Sequence, residues 1–268
     1  MVQIEDVTAP SPETPNAFTF RPLGPLPSLQ APRACELLTK WDLIQNIRSQ
    51  AFRFDQPFSP PMLHAFLGDL LNSPAVQEVL PVCTGRGSWG SPGKVSGIHA
   101  ERLRTTELRL YLFDRLADAG VTRTVGEEQH VCKCLDVQCG EILASDRLRL
   151  LLLDEGSEEW ELYTEAERRE LLFHLLRRLA IGGGMNQYED TLEPYKDMCK
   201  AVYRDLLAVQ KDNAGRLQVR SLALQVTRAT TTAAPLWPRD GDNNFLYVSI
   251  DPLQRRVTMW YGAWFPMM

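Results

Sequence analysis

His130, Cys132, Cys134 and Cys139 gather one imidazole and three thiols in a short stretch, a donor set that could hold zinc in a tetrahedral shell. The spacing argues otherwise, because a C-x-C step followed by x4-C matches neither the zinc-ribbon nor the zinc-finger pattern. Two readings stand. Either His130, Cys134 and Cys139 form a metal site, or Val131 and Leu135 mark a half-buried strand whose cysteines are small core residues. A catalytic thiol needs a depressed pKa and a positioned base. Lys133 and His130 lie close in sequence, but no third orienting group can be identified and no C-x-x-C pair is present.

Other chemical patterns resolve into architecture. Gly182-Gly183-Gly184 has the composition of a phosphate loop, but phosphate loops lie between a strand and the start of a helix, and here the glycines follow a helical pattern. They predict a C-cap and a tight turn. Glu189 and Asp190 stand just ahead of a helix that begins near Thr191, where the helix dipole favours acidic side chains without any acid-base role. Glu158, Glu159 and Glu161 around Trp160 read as a solvated acidic face with one buried ring. His64, His99 and His174 are dispersed without metal-ligand spacing, and the chain carries no Ser-His-Asp set, Walker motif or Rossmann fingerprint. No catalytic residue and no cofactor site is expected.

The elements that would position these residues are helical first and β-type last. Residues 1–16, rich in Pro, Thr, Ser and acid, predict a flexible tail. Phe18 and Phe20 begin a short strand. Leu37, Leu38, Trp41, Ile44, Ile47 and Phe52 form a helical stripe, and a second helix is expected over 61–71 with Ser59 as its cap. Five glycines between Thr84 and Gly97 predict a mobile surface loop. A strand over 98–103 and a helix capped by Thr106 and stopped at Gly120 follow. Thr164-x-x-Glu167 is a capping box for a helix through Leu179 that Gly182 ends. A further helix spans about 191–209, with Pro194 confined to its first turn. Strands are expected over 216–227, 245–250 and 256–260, with Asp251-Pro252-Leu253-Gln254 as a hairpin turn. The sum is an α+β fold, helical in its N-terminal and central parts, packed with a mainly antiparallel C-terminal sheet. With no internal repeat and no linker, residues 17–268 are expected to form a single globular domain.

At 268 residues the chain can bury a sizeable core, and 44% hydrophobic with 24% charged residues is ordinary for a folded protein. Its net charge of -5 and pI near 5.5 give no reason to expect a nucleic-acid partner. No apolar run is long enough to span a bilayer. The N-terminus lacks the basic and apolar regions of a secretory signal, so synthesis in the cytosol and reduced cysteines are expected.

One order of landmarks carries further information: Gln50-Ala51-Phe52 and Phe54-Asp55-Gln56, then His130, Lys133-Cys134-Leu135-Asp136 and Cys139, Ser145-Asp146, Leu148-Arg149, Gly182-Gly183, Gln187-Tyr188-Glu189-Asp190, and Pro194-Tyr195. Tyr203, Asp205-Leu206 and Val209 continue it, and Asp251-Pro252 with Arg255-Arg256 falls where a C-terminal hairpin is expected. This pattern resembles the cilia- and flagella-associated protein 300 family, well over 38–210 and weakly elsewhere. Cys132 and the segment 230–242 depart from it. The resemblance implies a non-enzymatic adaptor, cytoplasmic and ciliary, in preassembly or transport of outer and inner dynein arms. It implies partners among kintoun-type assembly factors, axonemal dynein subunits and the intraflagellar transport machinery. Phe52, Phe54, Trp160, Gln187 and Tyr188 are the candidate partner contacts, since aromatic anchors dominate many interfaces; burial in the core is the competing reading for each. The rival functions are a zinc- or thiol-dependent enzyme centred on His130, Cys134 and Cys139, and a fixed structural component of the axoneme.

Overall fold

The computed structural model describes residues 18–212 and 214–266. The tail expected over 1–16 lies outside the described residues. The architecture is α+β. The chain folds into two compact units, each assembled from separated stretches of sequence. The first holds the described residues up to Gln30, Gln45–Leu103 and Leu206–Trp264; the second holds Ala31–Ile44, Arg104–Asp205 and the short stretch after Trp264. Only the first passage, at Gln30–Ala31, falls in a Pro-rich stretch, between Pro22 and Pro32; the later crossings carry no Pro- or Gly-rich linker that would mark the division in the sequence.

The first unit is built on a six-stranded antiparallel sheet in the order Phe20–Gly24, Ile47–Phe54, Arg256–Gly262, Phe245–Asp251, Leu222–Thr231, Val95–Arg102. Every residue of Phe245–Asp251 is buried, as a central strand covered on both faces requires. Its hairpin partner Arg256–Gly262 pairs Tyr247 with Trp260 and Phe245 with Gly262. The turn is the one expected: Asp251 accepts hydrogen bonds from the Leu253 and Gln254 amides, and Arg255 takes φ 48° to close it. Against one face lies the helix Leu63–Asn72. Its Phe66 ring is met edge-on by Phe18, Phe20, Phe54 and Phe58 at centroid distances of 4.8, 5.3, 5.0 and 5.1 Å. Edge-to-face geometry of this kind adds to the area term of burial.

Two expectations fail in this unit. The helical stripe proposed through Phe52 ends early: the helix is Pro32–Lys40, Asp42 adopts φ 54°, and Ile47–Phe54 is a strand. Ile47, Phe52 and Phe54 suit helical and strand spacing alike, and pairing with Arg256–Gly262, Val257 opposite Phe52, decides for the strand. The glycine-rich stretch 84–97 is not a mobile loop. Val82–Gly85 and Ser88–Gly90 form a hairpin, and the long sheet strand starts at Val95. Gly87 serves the turn with φ 70°. At Gly93, φ 71°, a Cβ would lie 2.5 Å from the Thr232 hydroxyl, so that glycine serves a close approach rather than mobility.

The second unit contains the helices Pro32–Lys40, Arg147–Leu153, Leu171–Ile181 and Glu193–Leu206, with the hairpins Thr122–Val125/Glu128–Val131 and Lys133–Cys139/Ile142–Asp146. The capping box at Thr164 and Glu167 is formed. It starts a single turn, Glu165–Arg168, and Glu170 then becomes the cap residue of Leu171–Ile181. The break follows from a tertiary demand. The Glu170 carboxylate is 2% exposed and accepts from Arg104 Nε at 3.2 Å and the Thr106 amide at 3.0 Å, as well as from the Thr106 hydroxyl. Thr106 thus serves Glu170 and caps no long helix, and only the short turns Leu110–Phe113 and Arg115–Asp118 follow it. No helix among the described residues is long and apolar enough to cross a membrane.

Candidate functional site

In the second unit the landmarks scattered from Asp146 to Tyr195 converge on one buried arginine. Asp146 ends the Ile142–Asp146 strand and caps the next helix, accepting from the Arg149 amide at 2.9 Å. Its second oxygen accepts from Arg149 Nη1 at 2.8 Å, and both side chains are 0% exposed. Arg149 Nη2 donates to the Ala180 carbonyl at 2.8 Å and to the Tyr195 hydroxyl at 2.7 Å. The guanidinium lies 3.7 Å from the centre of the Tyr188 ring. A buried ion pair offsets its desolvation only with geometry of this quality, and losing one partner strands the other. Burial pushes the Tyr195 and Tyr188 phenols up, so both stay protonated at neutral pH.

Around this core a second layer fixes the chain between Gly182 and Tyr195. Tyr195 stacks on Trp41 at 4.8 Å, and its hydroxyl accepts from the Glu189 amide at 3.0 Å. The Glu189 carboxylate receives Trp41 Nε1 at 2.9 Å and Lys40 Nζ at 2.8 Å. Gly182, with φ 63°, ends the helix as expected. Gly183 donates to the Trp41 carbonyl at 2.8 Å, and a Cβ there would strike the Asp42 carbonyl oxygen and its side chain. The Gln187 amide donates to the Lys40 carbonyl at 2.9 Å. The glycines therefore permit close backbone approach and cradle no phosphate. The carboxylates of Glu189 and Asp190 do not act as a pair: Glu189 is buried against Trp41 and Lys40, and exposed Asp190 faces Lys133 at 3.6 Å.

The other candidates are placed apart. Phe52 and Phe54 are 0% and 1% exposed in the first unit's core, so neither ring is offered to a partner, and the core reading holds for both. Tyr188 is half-buried under Arg149, while Gln187 is exposed. Trp160 is half-buried, with the Arg168 guanidinium 3.4 Å over its ring. His130 sits on one hairpin, and Cys134 and Cys139 on the next. Among the described residues no three His, Cys, Asp or Glu side chains converge to hold a metal ion. Burial pushes the Cys134 thiol up, reinforced by Asp146, Glu159 and Asp136, and burial with Asp154 does the same for Cys139. That is opposite to what a nucleophile or a thiolate ligand needs. Leu135, expected to face inward, is 89% exposed.

Sequence reasoning missed the Asp146–Arg149 pair and the Trp41–Glu189 contact. The available signal was an arginine inside the run Arg147-Leu148-Arg149-Leu150-Leu151-Leu152-Leu153, where every neighbour on the inner face is apolar.

Fold and site together define an α+β protein whose motif residues build a buried ion-pair and aromatic hub that fixes the backbone. Residues 17–262 match the family described as Cilia- and flagella-associated protein 300. A Chlamydomonas reinhardtii protein of that name is 35% identical over 235 residues, covering 85% of this chain and 90% of the relative. A Paramecium tetraurelia protein of the same name is 30% identical over 230 residues, covering 85% and 86%. No solved structure matches. The chain belongs to the cilia- and flagella-associated protein 300 family.

Proposed function

We propose that this chain is a non-enzymatic adaptor acting in the cytoplasm and the cilium, in preassembly or intraflagellar transport of outer and inner dynein arms. Its partners are kintoun-type assembly factors, axonemal dynein subunits or the transport machinery. The observation that carries the reading is the use made of the landmark residues. Asp146, Arg149, Gly182, Gly183, Tyr188, Glu189 and Tyr195 are joined to one another and to backbone, an arrangement that supports a shaped surface rather than a reaction centre. Family membership supports the ciliary setting.

The test is affinity purification of the tagged chain from the cytoplasm of cells regrowing their cilia, followed by mass spectrometry. Dynein heavy or intermediate chains, or their assembly factors, are expected in the retained set. Their reproducible absence, with a metal or metabolite retained instead, overturns the reading in favour of ligand binding or catalysis.

A further inference from the structure

Three arginines face each other across neighbouring strands of the first unit's sheet. Arg21 pairs in register with Arg53, and Arg53 with Arg256, which puts the three side chains in one row on one face. Arg255, in the adjoining turn, extends the row. All four line an open groove of about 930 Å³, together with Leu23, Asp55 and Leu253.

Like charges in register on three adjacent strands set this row apart. Elsewhere several arginines have carboxylates, as Arg115 with Glu167, Arg147 with Glu159 and Arg220 with Asp251 do. Among the described residues none of the four groove arginines forms an ion pair, and the buried Nε of Arg256 has no hydrogen-bond partner. Asp55 is the groove's one carboxylate and is engaged by the Thr19 amide at 3.0 Å. Arg255 donates to the Asp55 carbonyl, at 2.8 Å. Like charges directly opposite on adjacent strands weaken a sheet, and an acidic chain has carboxylates enough to relieve them. Asp251 lies opposite Arg256 in register, but its carboxylate is taken by Arg220, so among the described residues the row is an unfavourable arrangement without a compensating ion pair.

We propose that this groove binds an acidic segment of a partner protein. Three strands at about 4.8 Å spacing spread the charges over roughly 10 Å, which an extended chain crosses in about three residues. Charges set in a row suit successive carboxylates; a single phosphate would call for donors converging on one point. Leu23 and Leu253, 53% and 72% exposed, flank the arginines and supply apolar cover for one large side chain of the same segment. Addition of the segment as a further strand is disfavoured, because the edge strand Phe20–Gly24 carries Pro22, Gly24 and a register shift. Recognition runs through the side chains. The inference rests on the groove alone and stands whether or not the partner belongs to dynein-arm assembly.

The experiment is fluorescence anisotropy with the full chain and a short labelled peptide that alternates Glu and Asp around one Leu. Saturable binding that weakens with salt is expected. Arg53→Glu is expected to reduce affinity at least about tenfold, because it replaces the central attraction by repulsion. Its melting temperature should not fall, since two like-charge oppositions become opposite-charge ones. Arg123→Glu, the same charge change on a hairpin of the second unit, should leave affinity unchanged. Arg21→Gln on the exposed edge strand repeats the test with a loss of about threefold should Arg53→Glu fail to fold. Absence of binding to the carboxylate peptide overturns the proposal. So does an equal loss with Arg123→Glu, or binding only to a phosphorylated peptide or to RNA.

Discussion

Arg149 in the second unit and Arg53 in the first are the same side chain under opposite physics. Arg149 is fully buried, paired with Asp146, bonded to Ala180 and Tyr195 and covered by Tyr188. Arg53 is exposed between two other arginines and pairs with no carboxylate among the described residues. In the first unit the core is held mainly by rings, with Phe66 at the centre of four aromatic neighbours, and the buried Asp251 carboxylate serves a turn beside Arg220. In the second, charge is part of the core and decides where a helix starts and how a turn is anchored. A charge inside tells of architecture, and an uncompensated row of charge outside tells of something to be met.

Giving both arginines the same replacement separates the two roles. Arg149→Leu is expected to cost about 3–5 kcal/mol by chemical denaturation, because Asp146 is left charged and unpaired in the core. A loss under about 1 kcal/mol would mean that the pair is no more than the surface kind. Gly183→Ala is next, at about 2–3 kcal/mol, since the added methyl meets backbone that cannot step aside. Tyr195→Phe removes the hydroxyl that accepts from Arg149 and from the Glu189 amide, and should cost about 1–3 kcal/mol. Arg53→Leu should change stability by no more than about 0.5 kcal/mol, in either direction. A large loss there would place Arg53 in the architecture after all.

The smallest effect is one of pH. Burial, with Arg178 and Arg177 adding to it, pushes the His174 imidazole down to about 3. Its unfolded value is near 6.5. The unfolded chain therefore takes up the proton first, so the stabilising contribution is complete above about pH 6.5 and is lost as pH falls towards 3. His174→Gln should flatten the dependence of the urea midpoint on pH across that window, and an unchanged slope would assign the acid sensitivity to other groups.

Legibility of the fold tracks how local its causes are. The Asp251 turn, the capping box at Thr164 and the stop at Gly182 are set by residues within a few positions of one another, and each forms as the sequence predicts. The segment from Trp41 to Phe54 misleads because its apolar residues fit two periods, and its partner strand, Arg256–Gly262, lies at the far end of the chain. Glycines in 84–97 signal backbone freedom, but sequence alone cannot tell whether a turn, a close approach or mobility uses it. For the candidate site, the motif strings point to the right residues of the second unit without their roles. That Tyr188 covers Arg149, or that Glu170 interrupts a helix to receive Thr106, depends on contacts across long separations. Phe52 and Phe54 are attractive as anchors for the reason that makes them core: large rings find burial, and the sequence does not say against what.

The interleaving of the two units has a consequence for how the protein is made. The strands at the centre of the sheet, Phe245–Asp251 and Arg256–Gly262, leave the ribosome long after Ile47–Phe54, the strand that Arg256–Gly262 pairs with. Until the C-terminal hairpin emerges, an eight-residue strand rich in apolar side chains lacks the neighbour that Arg256–Gly262 will provide. Such a nascent chain invites wrong pairings and calls for chaperone cover during synthesis. It also gives the codons of this hairpin unusual weight: a premature stop anywhere before Arg256 deletes the middle of the sheet, not its margin, and should behave as a complete loss of the protein.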